Sequence, residues 1–183
     1  LQERRRAEEA LRLSHERFQL ANRATLNAIW DWDFQTNAFL WNETFQTLFG
    51  YRAEEIEPGI ESRTSRIHPE DLDRVKTGIH AAIDTGRQFW SGEYRFRRQD
   101  GMYAEVEDQG YIARDASGRP VRMIGAMRDI TERKRAEQAL SVHARIAVIF
   151  ASIPGDEMFH EVLKVVMDVM QSPLGVFGYI DKD

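Results

Sequence analysis

Apolar and polar positions alternate along IWDWDFQTNAFLWN, from Ile29 to Asn42. Trp30, Trp32 and Phe34 share one face, and Asp31 and Asp33 share the other. A period of two predicts a strand with one buried face. The run turns over Gln35 to Ala38, so a second strand pairs with the first. ETFQTLFGY then reads as a short helix ended by Gly50. An irregular segment with Pro58 and Gly59 follows. HPEDLDRVKTGIHAAIDTG predicts a longer helix, with Pro69 at its first position, acids in its first turn and Gly86 just past its end. Leu72, Val75, Ile79 and Ile83 form its buried stripe. Three further alternating runs, QFWSGEYRFRR, MYAEVEDQGYIAR and RPVRMIGAMRDI, meet at QDG and DASG. Such turns predict hairpins. The order of elements predicts an α+β fold: a five-stranded antiparallel sheet with its helices on one face.

The flanks follow a different pattern. ERRRAEEAL (residues 3–11) and ERKRAEQAL (132–140) differ only at Arg5/Lys134 and Glu9/Gln138. Both strings consist of strong helix formers without Gly or Pro. Ala7, Leu11, Phe18 and Ala21 fall near one face of the first helix. Ala136, Ala139, Leu140, His143, Ile146, Ala147 and Phe150 form a stripe on the second. Thr131 is placed as the cap of the second helix, with Glu132 in its first turn. Narrow stripes amid charge suit either solvated surface helices or a seam with a second copy of the chain; a homodimer through the flanking helices is the expectation. Beyond them, DEMFHEVLKVVMDVMQ is a strongly apolar helical pattern, and PLGVFGYIDKD begins a strand.

Composition narrows the function classes. A net charge of −5 over 183 residues gives no support to nucleic-acid or anionic-membrane binding. No apolar run approaches the 18 or so residues of a membrane span. A cytoplasmic location and no membrane contact are therefore expected. The first residue is Leu1 rather than Met, which suggests a piece of a longer protein. The chain has no cysteine, so disulfides, thiolate metal sites and cysteine nucleophiles are excluded.

Residues 18–130 resemble a PAS domain, of the subtype with a WDWD first strand. The resemblance rests on the order of IWDWDFQTNAFLWN, LFGY, IHPEDLDRV, EYRFRRQDG and GYIARDASGRPVRMIGAMRDIT. One departure is Glu105, where the subtype usually carries Trp; it bears on the packing near Val106. The resemblance implies that DIT leads into a signalling helix. Residues 1–17 would then be the exit helix of a preceding module, and 131–153 the exit helix of this one. Residues 154–183 resemble the opening of a GAF domain. The implied function is that of a non-catalytic sensory and dimerisation module in a bacterial signalling protein. The output domain downstream in the same chain would be a sensor histidine kinase or, alternatively, a diguanylate cyclase. A ligand-free protein-interaction domain is a further alternative.

His68, Glu70, Asp71 and Asp73 are metal-ligand types in one short stretch, but His-Pro-Glu-Asp is also what capping and the helix dipole favour. His80 is the only histidine within the long helix and lies on a different stripe from Leu72 and Ile79, which argues against heme. Without cysteine, a flavin adduct is excluded, and the cofactor is unknown. His143 is followed by Ala144 rather than the acid that a phospho-accepting histidine needs. Neither a phosphate-binding glycine loop nor a GGDEF string is present. A small-molecule ligand is expected between the sheet and the long helix, against Trp32, Phe45, Ile79, Tyr94, Phe96 and Val106. Signal transmission is expected at Trp30, Asp31, Glu43, Asp129 and Thr131, with Trp30 or Asp31 as the partner of Asp129.

Overall fold

The computed structural model describes residues 24–153, 155–172, 174 and 175, together with Glu9, Arg12, Leu13, Glu16, Arg17 and Leu20. The described positions from Glu9 to Thr25 are helical. The predicted stripe of Ala7, Leu11, Phe18 and Ala21 lies outside the described residues, as does most of PLGVFGYIDKD.

The chain divides into two compact units, 1–131 and 132–183. In the first, β1 (Ala28–Asp33) and β2 (Phe39–Trp41) form the opening hairpin. Helix α1 (Glu43–Phe49), a 3-10 turn (Ala53–Glu55), α2 (Glu61–Thr64) and α3 (Pro69–Asp84) follow. Strands β3 (Phe89–Arg97), β4 (Tyr103–Arg114) and β5 (Pro120–Asp129) complete an antiparallel sheet of order β2-β1-β5-β4-β3. The predicted five-stranded α+β architecture is what the chain adopts. The crossover helices occupy one face of the sheet because the apolar parity of every strand points there.

That parity is clearest on β4, where Ala104, Val106, Asp108, Gly110 and Ile112 are buried between more exposed neighbours. Val106 is fully buried, and Glu105 stands on the opposite face, so the departure from the subtype leaves the packing intact. Trp30 decides the composition of two neighbouring strands. It pairs with Gly125, which in turn pairs with Gly110. A Cβ on Gly110 would lie 2.7 Å from the Trp30 ring, and one on Gly125 would collide with that ring and with the Gln109 carbonyl oxygen. Only glycine lets the indole cross both strands. Phe39 stacks on Trp30 at 5.6 Å, and Phe45 and Phe49 pack against Phe96 at 6.1 and 4.9 Å. These ring pairs close the core between α1 and the sheet.

Helix α3 buries Val75, Ile79 and Ala82, with Leu72 and Ile83 partly covered. Its acidic start is a clasp. The His68 ring nitrogen accepts from the Glu70 N–H at 3.3 Å and caps the helix. Asp71 accepts from the backbone N–H and the Nε of Arg95, at 3.0 and 2.9 Å, which binds α3 to β3. Of the four metal-ligand types in this stretch, His68 and Asp71 have these structural duties, and Glu70 pairs with Arg95 at 2.7 Å.

Helix α4 (Thr131–Ser152) begins at the last residue of the first unit; the rest of it and α5 (Asp156–Val169) belong to the second. Arg145 of α4 pairs with Asp168 of α5 at 3.1 Å. Along α4 the predicted stripe is exposed at Ala136, Ala139, Leu140, His143, Ala147 and Phe150. No described helix is long and apolar enough to cross a membrane.

The clasp generates a pH prediction. Hydrogen bonds from the Arg95 side chain hold the Asp71 carboxyl down at about 2, below its ordinary 3.8. A depressed carboxyl stabilises the fold above its unfolded value, and the benefit is lost as pH falls toward the folded value. Arg95→Gln should therefore lower the urea midpoint at pH 7. The gap to wild type should narrow as pH falls from about 4 to about 2. A gap that stays constant over that window would mean the clasp contributes nothing through charge.

Candidate functional site

The sheet's inner face carries a carboxylate at a position where its neighbours are apolar. Asp108 is fully buried, and three donors from three other elements converge on it. Trp30 Nε1 of β1 donates to Oδ1 at 2.8 Å. Arg63 Nη2 of α2 and the Tyr94 hydroxyl of β3 donate to Oδ2 at 2.7 and 2.6 Å. Arg63 Nε also donates to the Tyr94 oxygen at 3.3 Å. Loss of water pushes the Tyr94 hydroxyl well above the ordinary tyrosine range, so it remains a donor. The Arg63 guanidinium sits 4.9 Å from the Trp30 ring centre and 5.1 Å from that of Trp90, a buried cation between two faces.

Beside this network, a cleft of about 200 Å³ opens between α2, α3 and β1. Ile60, Ile67, Val75 and Ile79 give it apolar walls, and Trp32, Arg63, Lys76 and His80 also border it. Two of the six residues expected to meet a ligand, Trp32 and Ile79, line this cleft. Phe45, Tyr94, Phe96 and Val106 point inward as expected but are packed in the core instead. Tyr94, Phe96 and Val106 lie on the buried parity of their strands and Phe45 on the buried face of α1; the filling of their side of the interior by aromatic rings is not visible in the alternation.

At the end of β5 a second polar cluster forms. Asp129 accepts from the Thr131 backbone N–H at 2.8 Å and is ion-paired with Arg98 of the β3–β4 turn. The Thr131 hydroxyl accepts from the Glu105 N–H of β4 at 3.0 Å. Two expectations are corrected here. Thr131 is the first residue of α4 rather than its cap, because its oxygen serves the sheet. Asp129 meets Arg98, and neither Trp30 nor Asp31. Asp31 stands on the outer face, paired with Arg122, while Asp129 shares the inner parity of Met127. The Trp30 nitrogen is already committed to Asp108. Glu43 is exposed in the first turn of α1.

No sequence pattern marks Arg63, because ESRTSR has no period and only four of its residues are helical. The available signal was Asp108. A carboxyl group in phase with Ala104, Val106 and Ile112 calls for hydrogen-bond donors or a cation brought to it from elsewhere in the chain.

Comparison with known proteins places this geometry in context. Residues 38–127 match the family model described as the PAS fold. The chain is 33% identical over 103 residues to the methyl sulfide methyltransferase-associated sensor of Methanosarcina acetivorans, covering 56% of this chain and 10% of that protein. It is 34% identical to a sensory box histidine kinase/response regulator from Burkholderia thailandensis of known crystal structure. That match has a TM-score of 0.59 and covers 70% of this chain and 95% of the other. The N-terminal domain of a diguanylate cyclase with PAS/PAC sensor from Marinobacter aquaeolei is 28% identical, with a TM-score of 0.55, over 59% of this chain and 98% of that one. The chain thus spans a tenth of the curated sensor and nearly all of the two crystallised domains.

The network around Asp108 makes a stability prediction. Asp108→Ala leaves Arg63 as an uncompensated buried cation and should cost about 3–5 kcal/mol. Arg63→Met combined with Asp108→Leu removes both charges and should be markedly less costly than the single change. Urea unfolding followed by tryptophan fluorescence checks both. A double variant no more stable than Asp108→Ala would show that the charges are not what couples these positions.

Proposed function

The chain belongs to the PAS fold family, and on that premise we propose that it is a sensory and dimerisation module passing a signal through the end of β5 into α4. The observation that carries the proposal is the double tie at Thr131. Its N–H is held by Asp129, and its hydroxyl accepts from β4 at Glu105. Any shift of β4 against β5 moves the first residue of the helix. A ligand in the cleft bordered by Trp32 and Ile79 is the proposed source of such a shift, and the Asp108 network is its route across the sheet. WDWD and DIT mark the two ends of this coupled strand set. Trp30 belongs to the network; Asp31 and Glu43 lie outside the tie and are its least supported members.

A PAS domain is not itself catalytic, and the similar chains sit in kinases and cyclases. The proposed output is a sensor histidine kinase, supported by the Burkholderia relative. The Marinobacter relative favours a diguanylate cyclase as the second reading. Residues 154–183 are proposed as the start of a GAF-like module. Dimerisation is proposed through α4, where Leu140 is 69% and Phe150 57% exposed within one chain. A narrow apolar stripe of this kind suits a two-stranded seam.

Two outcomes follow. In Asp129→Ala, hydrogen exchange of amides 132–140 should accelerate while β-sheet amides remain protected. In the full-length parent, output should lose its response to signal. Unchanged exchange with unchanged signalling would remove Asp129 from the mechanism. For the seam, Leu140→Glu with Phe150→Glu should convert a micromolar dimer into a folded monomer in sedimentation velocity. A dimer that survives both changes would place the interface elsewhere.

A further inference from the structure

Arg63 is where the buried network and the cleft meet. Its side chain is 1% exposed, and its Nε and Nη2 are committed to Tyr94 and Asp108. The third nitrogen, Nη1, is also buried and has no hydrogen-bond partner among the described residues. Arg63 borders the cleft. A charged donor kept from water without an acceptor is strongly disfavoured, so an oxygen supplied from the cleft would relieve it.

Asp108 already balances Arg63 at 2.7 Å. The other ionised groups bordering the cleft are Lys76 and Glu61, one of each sign and both exposed. The cleft is thus electrically balanced as it stands. A carboxylate on Nη1 would bring a second anion next to Asp108 in low-dielectric surroundings, with no second buried cation to offset it, since Lys76 and His80 border the cleft but are exposed. An uncharged acceptor completes the hydrogen bond without that cost. Ile60, Ile67, Val75 and Ile79 give an aliphatic wall beside Trp32, Thr64 and His80, and the volume of about 200 Å³ is somewhat above the ~150 Å³ cavity known to hold benzene.

We propose that the cleft takes a small uncharged carbonyl compound of about one ring or a short chain, a ketone, aldehyde, lactone or amide. Its oxygen accepts from Arg63 Nη1, and its apolar body lies against Ile67, Val75 and Ile79. The ligand class rests on the sensory role proposed above. It supplies an acceptor for the one Arg63 nitrogen that lacks a partner among the described residues.

The test is a titration of the full chain at pH 7 with three probes of similar size, followed by amide NMR shifts. Acetophenone has the neutral oxygen, benzoate the charged one, and isopropylbenzene none. Acetophenone should shift amides of residues 60–67 and 75–80. It should bind at least roughly tenfold tighter than isopropylbenzene, although transfer from water alone favours the latter. Benzoate should be weaker than acetophenone by a similar factor. Arg63→Lys keeps a cation for Asp108 but lacks Nη1, and should erase the advantage of acetophenone. Should that variant unfold, Ile79→Phe, which fills the cleft and leaves Arg63 in place, should abolish the shifts from acetophenone. Equal binding of all three probes in the cleft, or tightest binding of benzoate, would overturn the carbonyl class while leaving a ligand cleft. Acetophenone binding that survives Arg63→Lys or Ile79→Phe would overturn it as well. Absence of binding by every probe in the cleft would overturn both the class and the cleft as the sensory site.

Discussion

A fully buried carboxylate must find donors inside the protein, and Asp108 finds them on three elements at once. Trp30 brings β1, Tyr94 brings β3, and Arg63 brings the four-residue helix α2. An ionised group removed from water costs several kcal/mol unless it is paired and hydrogen-bonded, so these residues are held together by mutual need. The geometry also propagates through sterics. Trp30 can reach Asp108 only by crossing β5 and β4, which requires Gly125 and Gly110 beneath the ring. One polar requirement on β4 thus determines an aromatic residue on β1 and the absence of side chains at two positions between them.

Around this centre the interior is unevenly filled. Phe39, Phe45, Phe49 and Phe96 close the part under α1 and β2 with ring-on-ring packing. The part under α3 has the branched aliphatic Ile67, Val75 and Ile79 along one wall, and there the cleft opens beside Trp32 and His80. Arg63 stands at the boundary, its guanidinium pulled toward Asp108 and away from solvent. A ligand entering the cleft would act on the same residue that secures the network. Displacement of that kind has a short route to β4, and β4 holds Thr131 through the Glu105 N–H. In the proposed scheme, sensing and transmission would be joined by this one strand.

The strands and the long helix were legible because burial of one face imposes a period: two for IWDWDF and the three later runs, near four for Leu72, Val75, Ile79 and Ile83. Hairpin turns at Asp100–Gly101 and Ser117–Gly118 were legible because both glycines adopt a left-handed backbone, at φ 86 and 83. The inward direction of Tyr94, Phe96 and Val106 followed from the same alternation. Capping by His68 was equally local, since it needs only the residue two positions on.

Contacts between distant segments were decided by the tertiary structure. ESRTSR has no period, and nothing in it marks Arg63 as buried rather than exposed; only the folded sheet brings Asp108, 45 residues away in sequence, to within hydrogen-bond distance. Asp129 offers several plausible cations and donors in sequence, and the strand register selects Arg98 by placing the β3–β4 turn beside the end of β5 on the inner face. Thr131 has the composition of a helix cap, yet the nearby Glu105 amide takes its oxygen. Local periodicity is a property of a few consecutive side chains and so survives in the sequence. The choice among partners depends on which strands lie side by side, a global solution that no single stretch contains.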